Sequence, residues 1–141
     1  MSATSATPAT NEPVPVPEQY LDLLNAPLTG ILTTIGADGG PQAAPVWFTF
    51  DGQSVLVSTR ANTQKQRNVM RNSRGSLTVI DPTNTMRYVE LRGDVEVSDD
   101  PTFATRERVV HKHGFADGSS FDAPGVLRVT LRLTPTRIIE H

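Results

Sequence analysis

The sequence contains no cysteine, which removes disulfide frameworks, thiolate zinc sites, iron–sulfur clusters and cysteine nucleophiles together. It also lacks any apolar run near the roughly 18 residues that would suggest a membrane span. Neither sign of charge dominates: 13 basic and 15 acidic residues leave a net charge of −2. A chain so balanced is not built to coat nucleic acid or an anionic membrane, so neither is an expected partner. No Gly-x-Gly-x-x-Gly follows a strand pattern and no Walker-type lysine loop occurs, so the common phosphate loops are absent. There is no His-Glu-x-x-His, and His111 and His113 stand two apart, a spacing that points the rings apart on a helix; no metal site is expected. The serines lack a nucleophile-elbow setting, which leaves acyl transfer unsupported.

What is present fits one domain. The chain has 141 residues, 37% of them hydrophobic, with 11 prolines and 10 glycines, a balance that favours strands and turns over a helix bundle. Residues Met1 to Pro17 are almost entirely Ala, Ser, Thr, Pro, Asn and Val, with Glu12 the only charge. This stretch lacks the basic start and apolar core of a secretory signal. It also lacks the apolar surface to offset its ordering entropy, so the expectation is a disordered tail over 1–17, a folded domain over 18–141 and a cytoplasmic location.

Along that domain, Pro17–Leu24 reads as a short helix with Tyr20, Leu21 and Leu24 on one face. Strands are expected over 29–35, 42–50, 54–59, 75–80, 86–98 and 126–134. Asp51-Gly52 between two apolar runs is a strong hairpin signal. In the fifth strand Val89, Leu91, Gly93, Val95 and Val97 alternate with Tyr88, Glu90, Arg92, Asp94 and Glu96. In the sixth, Leu127, Val129, Leu131 and Leu133 alternate with Arg128, Thr130 and Arg132. Such alternation means antiparallel sheet, and a sheet this small must curl or close to hide its edges. Helices are expected over 62–72 and 101–113, the second with Asp100 as N-cap and Pro101 at the first helical position. The fold class is mainly β (α+β): a small antiparallel six-stranded barrel with two or three short helices.

One segment stands out for chemistry. Between Gly52 and Ile80 there is no Asp or Glu, while Arg60, Lys65, Arg67, Arg71 and Arg74 all fall there. The basic residues run from a strand end into a helix start, where free backbone N–H groups and the helix dipole favour an anion. Lys65 in the first turn opposes that dipole unless an anion is bound; the alternative is a solvated basic face. Trp47 alternates away from Val46 and Phe48, and Pro45 suits an edge or bulge; Trp47 then serves either a ligand or a subunit interface. The loop 114–121, with Phe115 and Phe121 among flexible residues, reads either as a pocket cover or as a connector whose aromatics dock in the core.

Thr29-Gly30-Ile31-Leu32-Thr33-Thr34-Ile35-Gly36-x-Asp38-Gly39-x-Pro41, followed by Pro45-Val46-Trp47-Phe48, resembles the opening hairpin of the pyridoxamine 5′-phosphate oxidase-like split β-barrel flavoproteins. Arg60-x₃-Gln64-Lys65-x-Arg67-Asn68 is similar to their phosphate-binding junction. Tyr88-Val89-Glu90-Leu91-Arg92-Gly93-Asp94-Val95 resembles their long strand, and Pro135-Thr136-Arg137 their closing strand end. The short length and the Gln-Lys-x-x-Asn form look most like the branch that uses deazaflavin coenzyme F420, the actinobacterial flavin/deazaflavin oxidoreductase B group. The resemblance implies a homodimer with cofactor sites between subunits. It implies that Arg60, Thr63, Gln64, Lys65 and Asn68 hold the cofactor phosphate, with Arg67 less firmly placed, and that Ala44, Pro45, Val46 and Trp47 line the ring edge. The implied activity is hydride transfer from reduced F420 to a conjugated or quinone-like small-molecule acceptor, with no catalytic side chain of the protein's own. An FMN-dependent oxidoreductase or flavin-binding protein of the same fold is the alternative. A non-enzymatic carrier of a cofactor or of haem is the third reading. Vitamin B6 chemistry is not expected, because the C-terminal basic substrate motif is missing.

Overall fold

The computed structural model describes residues 12–140. Seven strands form one sheet: β1 (Gly30–Ile35), β2 (Pro41–Val46), β3 (Thr49–Phe50), β4 (Val55–Arg60), β5 (Arg74–Ile80), β6 (Tyr88–Asp99) and β7 (Arg128–Glu140). Three helices accompany them, α1 (Leu21–Asn25), α2 (Gln64–Arg71) and α3 (Ala104–Lys112), with 3-10 turns at Glu18–Tyr20 and Ser119–Phe121. Every neighbouring pair is antiparallel, in the order β2-β1-β5-β6-β7-β4-β3. β2 and β3 lie at opposite ends of that order, yet only Trp47 and Phe48 separate them in the chain. A linker that short reaches roughly 10 Å at full extension, so the sheet must curl until its two edges nearly meet. The result is a split barrel, open at Trp47–Phe48.

That opening corrects the expected strand count. The single strand expected over 42–50 is two strands, because Phe48 leaves the ladder and is fully buried in the core. Lys112 of α3 fixes the break: its ammonium donates to the carbonyls of Leu24 (2.7 Å) and Phe48 (3.1 Å) and lies 4.0 Å from the centre of the Phe48 ring. A strand-length pattern carries no sign of such a break, since it depends on where the two halves find partners.

The long β6–β7 pair forms the back of the barrel. Val89, Leu91 and Val95 are buried as the alternation predicts. β7 continues past the expected end at Thr134. Gly93 pairs with Pro135 and Arg92 with Arg137, leaving Thr136 as the extra residue of a bulge. Pro135 sits where the ladder shifts, so its missing N–H does not stop the strand. Leu127, expected inside, precedes β7 and is 72% exposed.

The hairpin turn at Asp51-Gly52 forms as expected. Gly52 adopts φ 99°, and the Asp51 carboxylate accepts the N–H groups of Gln53 and Ser54. α3 starts at Ala104 rather than Pro101, because Phe103 takes a left-handed conformation (φ 60°) just before it. Asp100 still satisfies the helix start, its carboxylate accepting from the N–H groups of Thr105 and Arg106. Residues 1–11 of the expected tail lie outside the described residues. From Val14 the chain is placed against the barrel: Val14 N–H donates to the Pro135 carbonyl at 2.9 Å and Val16 packs on the core. Among the described residues no helix is long and apolar enough to cross a membrane.

Candidate functional site

β4 ends at Arg60 and the chain turns sharply into α2. Asn62 makes the turn with φ 67°, a left-handed conformation that asparagine tolerates better than most residues. Gln66 reaches back to accept the Asn62 N–H, and Arg67 donates to the Asn62 carbonyl. Thr63 is the N-cap residue but makes no side-chain cap; its hydroxyl instead meets Thr59 Oγ1 at 3.2 Å. The first helical N–H to find a carbonyl is that of Arg67, on Thr63 at 3.0 Å. The N–H groups before it are the free donors that a helix start offers to an anion.

Beside that start lies a cavity of about 220 Å³ lined by Pro45, Val46, Trp47, Ser58, Thr59, Lys65, Arg106, Val109, Val110, Phe121 and Arg128. It falls where β4, α2, α3 and the start of β7 converge on the split in the barrel. Lys65 is half-buried and has no hydrogen-bond or ion-pair partner among the described residues. Burial, and then the Arg128 guanidinium, hold its pKa below the ordinary lysine value. Its charge is therefore held in the free protein at some cost.

Asp122 anchors the opposite side. Its carboxylate, with the side chain 5% exposed, accepts from Arg128 Nη2 (2.6 Å) and Nε (2.8 Å), Arg106 Nη1 (3.1 Å) and Arg60 Nε (3.4 Å). These arginines, Arg128 foremost, hold the Asp122 pKa at about 2 against the opposing effect of burial. Arg106 also pairs with Glu107 at 3.0 Å. Among the described residues, Arg60, Arg106 and Arg128 pair with Asp122 and Glu107 while Lys65 pairs with neither, which leaves local positive charge in a chain of net charge −2.

The remaining wall is aromatic. The Trp47 ring stacks on His113 with centroids 3.9 Å apart and planes 5° from parallel. Phe115 and Phe121 meet Trp47 at 5.8 and 6.1 Å, and pack edge-on against each other at 5.1 Å. The loop after α3 therefore docks its aromatics on Trp47 at the rim of the cavity rather than in the barrel core. Arg60 Nη2 donates to the Phe121 carbonyl at 3.0 Å and helps hold it there. His113 Nε2 is buried without a hydrogen-bond partner among the described residues. Burial, with the nearby Lys112 charge, lowers the His113 pKa, so the ring stacked on Trp47 is neutral near pH 7.

Of the nine site residues expected from the sequence, Pro45, Val46, Trp47 and Lys65 line the cavity. Thr63 adjoins it through Thr59. Ala44 pairs with Leu32 in the β1–β2 ladder and is not in the lining. Arg60 turns toward Asp122 and Phe121. Gln64 and Asn68 serve the helix itself. Asn68 is fully buried and all its amide groups are used: Nδ2 donates to Thr34 (3.0 Å) and Gln42 (2.6 Å), and Oδ1 accepts from Gln64 (2.8 Å) and Arg71 (2.9 Å). In this arrangement Asn68 docks α2 on β1 and β2. Phe121, from the loop read as a pocket cover or a connector, joins the lining, together with Ser58, Thr59, Arg106, Val109, Val110 and Arg128, which the sequence did not single out. The β4–β7 register sets Arg60 opposite Arg128, and no local pattern announces that pairing.

The family model for pyridoxamine 5′-phosphate oxidase matches residues 16–141. An F420 reductase of known structure is 36% identical, with 89% of this chain and 100% of that chain covered and a TM-score of 0.78. A conserved hypothetical protein from Mycobacterium tuberculosis is 25% identical, with 94% and 88% covered and a TM-score of 0.73. General Stress Protein 26 from Bacillus anthracis shares the fold at 18% identity, with 86% and 89% covered and a TM-score of 0.64. No curated protein matches the chain. The chain belongs to the pyridoxamine 5′-phosphate oxidase family.

Proposed function

We propose that this member of the pyridoxamine 5′-phosphate oxidase family is an oxidoreductase that binds deazaflavin coenzyme F420 and transfers a hydride between it and a conjugated or quinone-like small molecule. The observation that carries the reading is Lys65: a half-buried cation without a partner among the described residues, at an uncapped helix start, facing a cavity whose other wall is Trp47. The likeness to an F420 reductase along that protein's whole length favours the deazaflavin over FMN. When bound, the reduced cofactor supplies the hydride, and the protein supplies binding, orientation and dryness.

In this reading Lys65 and the N–H groups at the start of α2 take the cofactor phosphate, with Thr63 beside them. Pro45, Val46 and Trp47 border the ring; β2 is an edge strand, so one side of its backbone is free of sheet partners. Val46, Val109 and Val110 keep water from the reacting face. Asp122 stays ionised near neutral pH, and its bonds to three arginines keep it from acting as a proton donor. A cavity of about 220 Å³ falls short of the roughly 300–1,000 Å³ usual for small-molecule sites. A second copy of the chain, forming a homodimer, supplies the missing wall.

Fluorescence titration with F420 and with FMN, at low and high salt, tests the reading. F420 binds more tightly, because its carboxylate tail reaches Arg71 and Arg74 beyond the first phosphate contact. The gap narrows as salt screens those exposed charges. Lys65→Ala weakens F420 binding by about 1.5–3 kcal/mol, the range for a hydrogen bond to a charged group. A preference for FMN that survives high salt would make the FMN-dependent reading the better one.

A further inference from the structure

Arg128 is used on one side only. Its Nε and Nη2 bind the Asp122 carboxylate in a two-bond fork, at 2.8 and 2.6 Å. Its third nitrogen, Nη1, has only long contacts of 3.4 Å to the Ser58 carbonyl and hydroxyl, near the limit at which a hydrogen bond retains strength. Ser58 and Arg128 both line the cavity, as does Lys65. The guanidinium and the lysine ammonium are close enough that Arg128 lowers the Lys65 pKa. Across the β4–β7 ladder Arg128 also stands opposite Arg60, and like charges directly opposite one another destabilise a sheet. Two cations, Lys65 and Arg128, thus line one cavity, with Arg60 just outside it, and a bound anion would relieve their repulsion. The acid nearest them, Asp122, is already shared among three arginines.

We propose that Arg128 is a further anion-binding residue of this cavity, held by Asp122 so that Nη1 and the neighbouring Ser58 hydroxyl meet an oxyanion that Lys65 holds from the other side. The ligand group is a phosphate ester carried by a planar molecule, since Trp47 and Phe121 form the adjoining wall. The assignment to the F420 phosphate rests on the function proposed above; the oxyanion site itself does not. A planar guanidinium suits that role because one edge can stay locked to a carboxylate while the remaining nitrogen contacts the ligand.

Three variants and two probes test this. Arg128→Gln removes the charge in the cavity, Arg128→Lys keeps it without the fork, and Arg108→Gln removes an equal charge from the exposed face of α3. The probes are F420, followed by fluorescence, and inorganic pyrophosphate, followed as a rise in melting temperature. Arg128→Gln weakens F420 binding about 10- to 100-fold and abolishes the pyrophosphate-induced rise, while Arg108→Gln changes neither. In Arg128→Gln the Lys65 ammonium titrates at higher pH by NMR while the melting temperature without ligand stays near that of the parent, a combination that loss of packing does not give. F420 affinity equal to that of Arg108→Gln overturns the proposal. So does pyrophosphate protection that is the same in all variants, which marks an adventitious ion only. If neither F420 nor FMN binds the unaltered protein but pyrophosphate protects it through Arg128, the oxyanion site stands and the proposed cofactor falls. Should Arg128→Gln fail to fold, Arg128→Lys decides: severalfold weaker F420 binding supports the role, and unchanged binding removes it.

Discussion

Asp122 accepts hydrogen bonds from three arginines that come from three different elements: Arg60 ends β4, Arg106 lies in α3 and Arg128 opens β7. The folded chain holds its pKa at about 2, below the ordinary value of 3.8. A depressed carboxyl stabilises the fold fully above the unfolded value, and that contribution drains away as pH falls from about 4 toward 2. Asp122→Asn should therefore cost about 2–3 kcal/mol at pH 7, the free energy of a shift of roughly two pKa units. Urea denaturation should show the gap between variant and parent closing below pH 4; a gap unchanged down to pH 2 would assign the loss to packing instead of charge. At this scale the sequence was half legible. Lys65 stood out because its segment has no acid to neutralise it. Arg128 did not, because in the sequence it is one polar residue in an alternating strand, and only the register with β4 brings it to the site. The docking role of Asn68 was equally hidden, because its bonds to Thr34 and Gln42 hold α2 to β1 and β2 across the fold.

Elements were read best where a single period or turn decides them. β6 alternates over its length because one face meets the core, and the Asp51-Gly52 turn follows from side-chain geometry and a positive φ. The ends were read less well, since they depend on distant partners. β7 runs on through Pro135 because the bulge opposite Gly93 removes the need for a ladder N–H. α3 starts late because Phe103 turns left-handed while its ring lies against the Arg106 guanidinium, 4.0 Å away. The bulge can be probed directly. A Cβ at Gly93 would lie 2.2 Å from the Thr134 carbonyl oxygen, a backbone atom that cannot move without disturbing the β6–β7 pair. Gly93→Ala should destabilise by at least the roughly 1–3 kcal/mol typical of overpacking, seen as a lower urea midpoint. Gly39→Ala is an informative contrast: nothing lies within 4 Å of its Cβ position, so any cost there comes from its φ of 83° alone. A Gly93→Ala loss no larger than that of Gly39→Ala would mean that the bulge yields more readily than its contacts suggest.

At the scale of the whole molecule, the outer face of the sheet stays partly accessible among the described residues. On the outside of the barrel the register aligns Pro45, Ile31, Thr78, Glu90 and Ile139 across β2, β1, β5, β6 and β7. Glu90 in that row is paired with Arg92 on its own strand at 3.1 Å, so the row holds little free charge, and Ile80 beside it is 40% exposed. Alternation in the sequence marks Glu90 as outward-facing but says nothing about whether that face meets water or another copy. A mostly small and apolar sheet face is costly to leave wet, and Pro45 belongs both to it and to the cavity wall. Covering the face with a second copy would bury it and bring new residues to the rim of the same cavity, so assembly and cofactor binding are coupled by position. Sedimentation at micromolar concentration should then show one species of twice the 15.3 kDa chain mass. Thr78→Arg, placed mid-row, should yield monomers, because the long side chains of the two copies would crowd the seam and carry their charge out of water. The variant should stay folded, since its neighbours Leu77 and Val79 carry the core contacts of β5. If dimerisation completes the site, the monomers bind F420 more weakly than the parent, although the substitution touches no cavity-lining residue. Folded monomers with unchanged cofactor affinity would confine the site to one chain and leave the dimer, if it forms, without a part in binding.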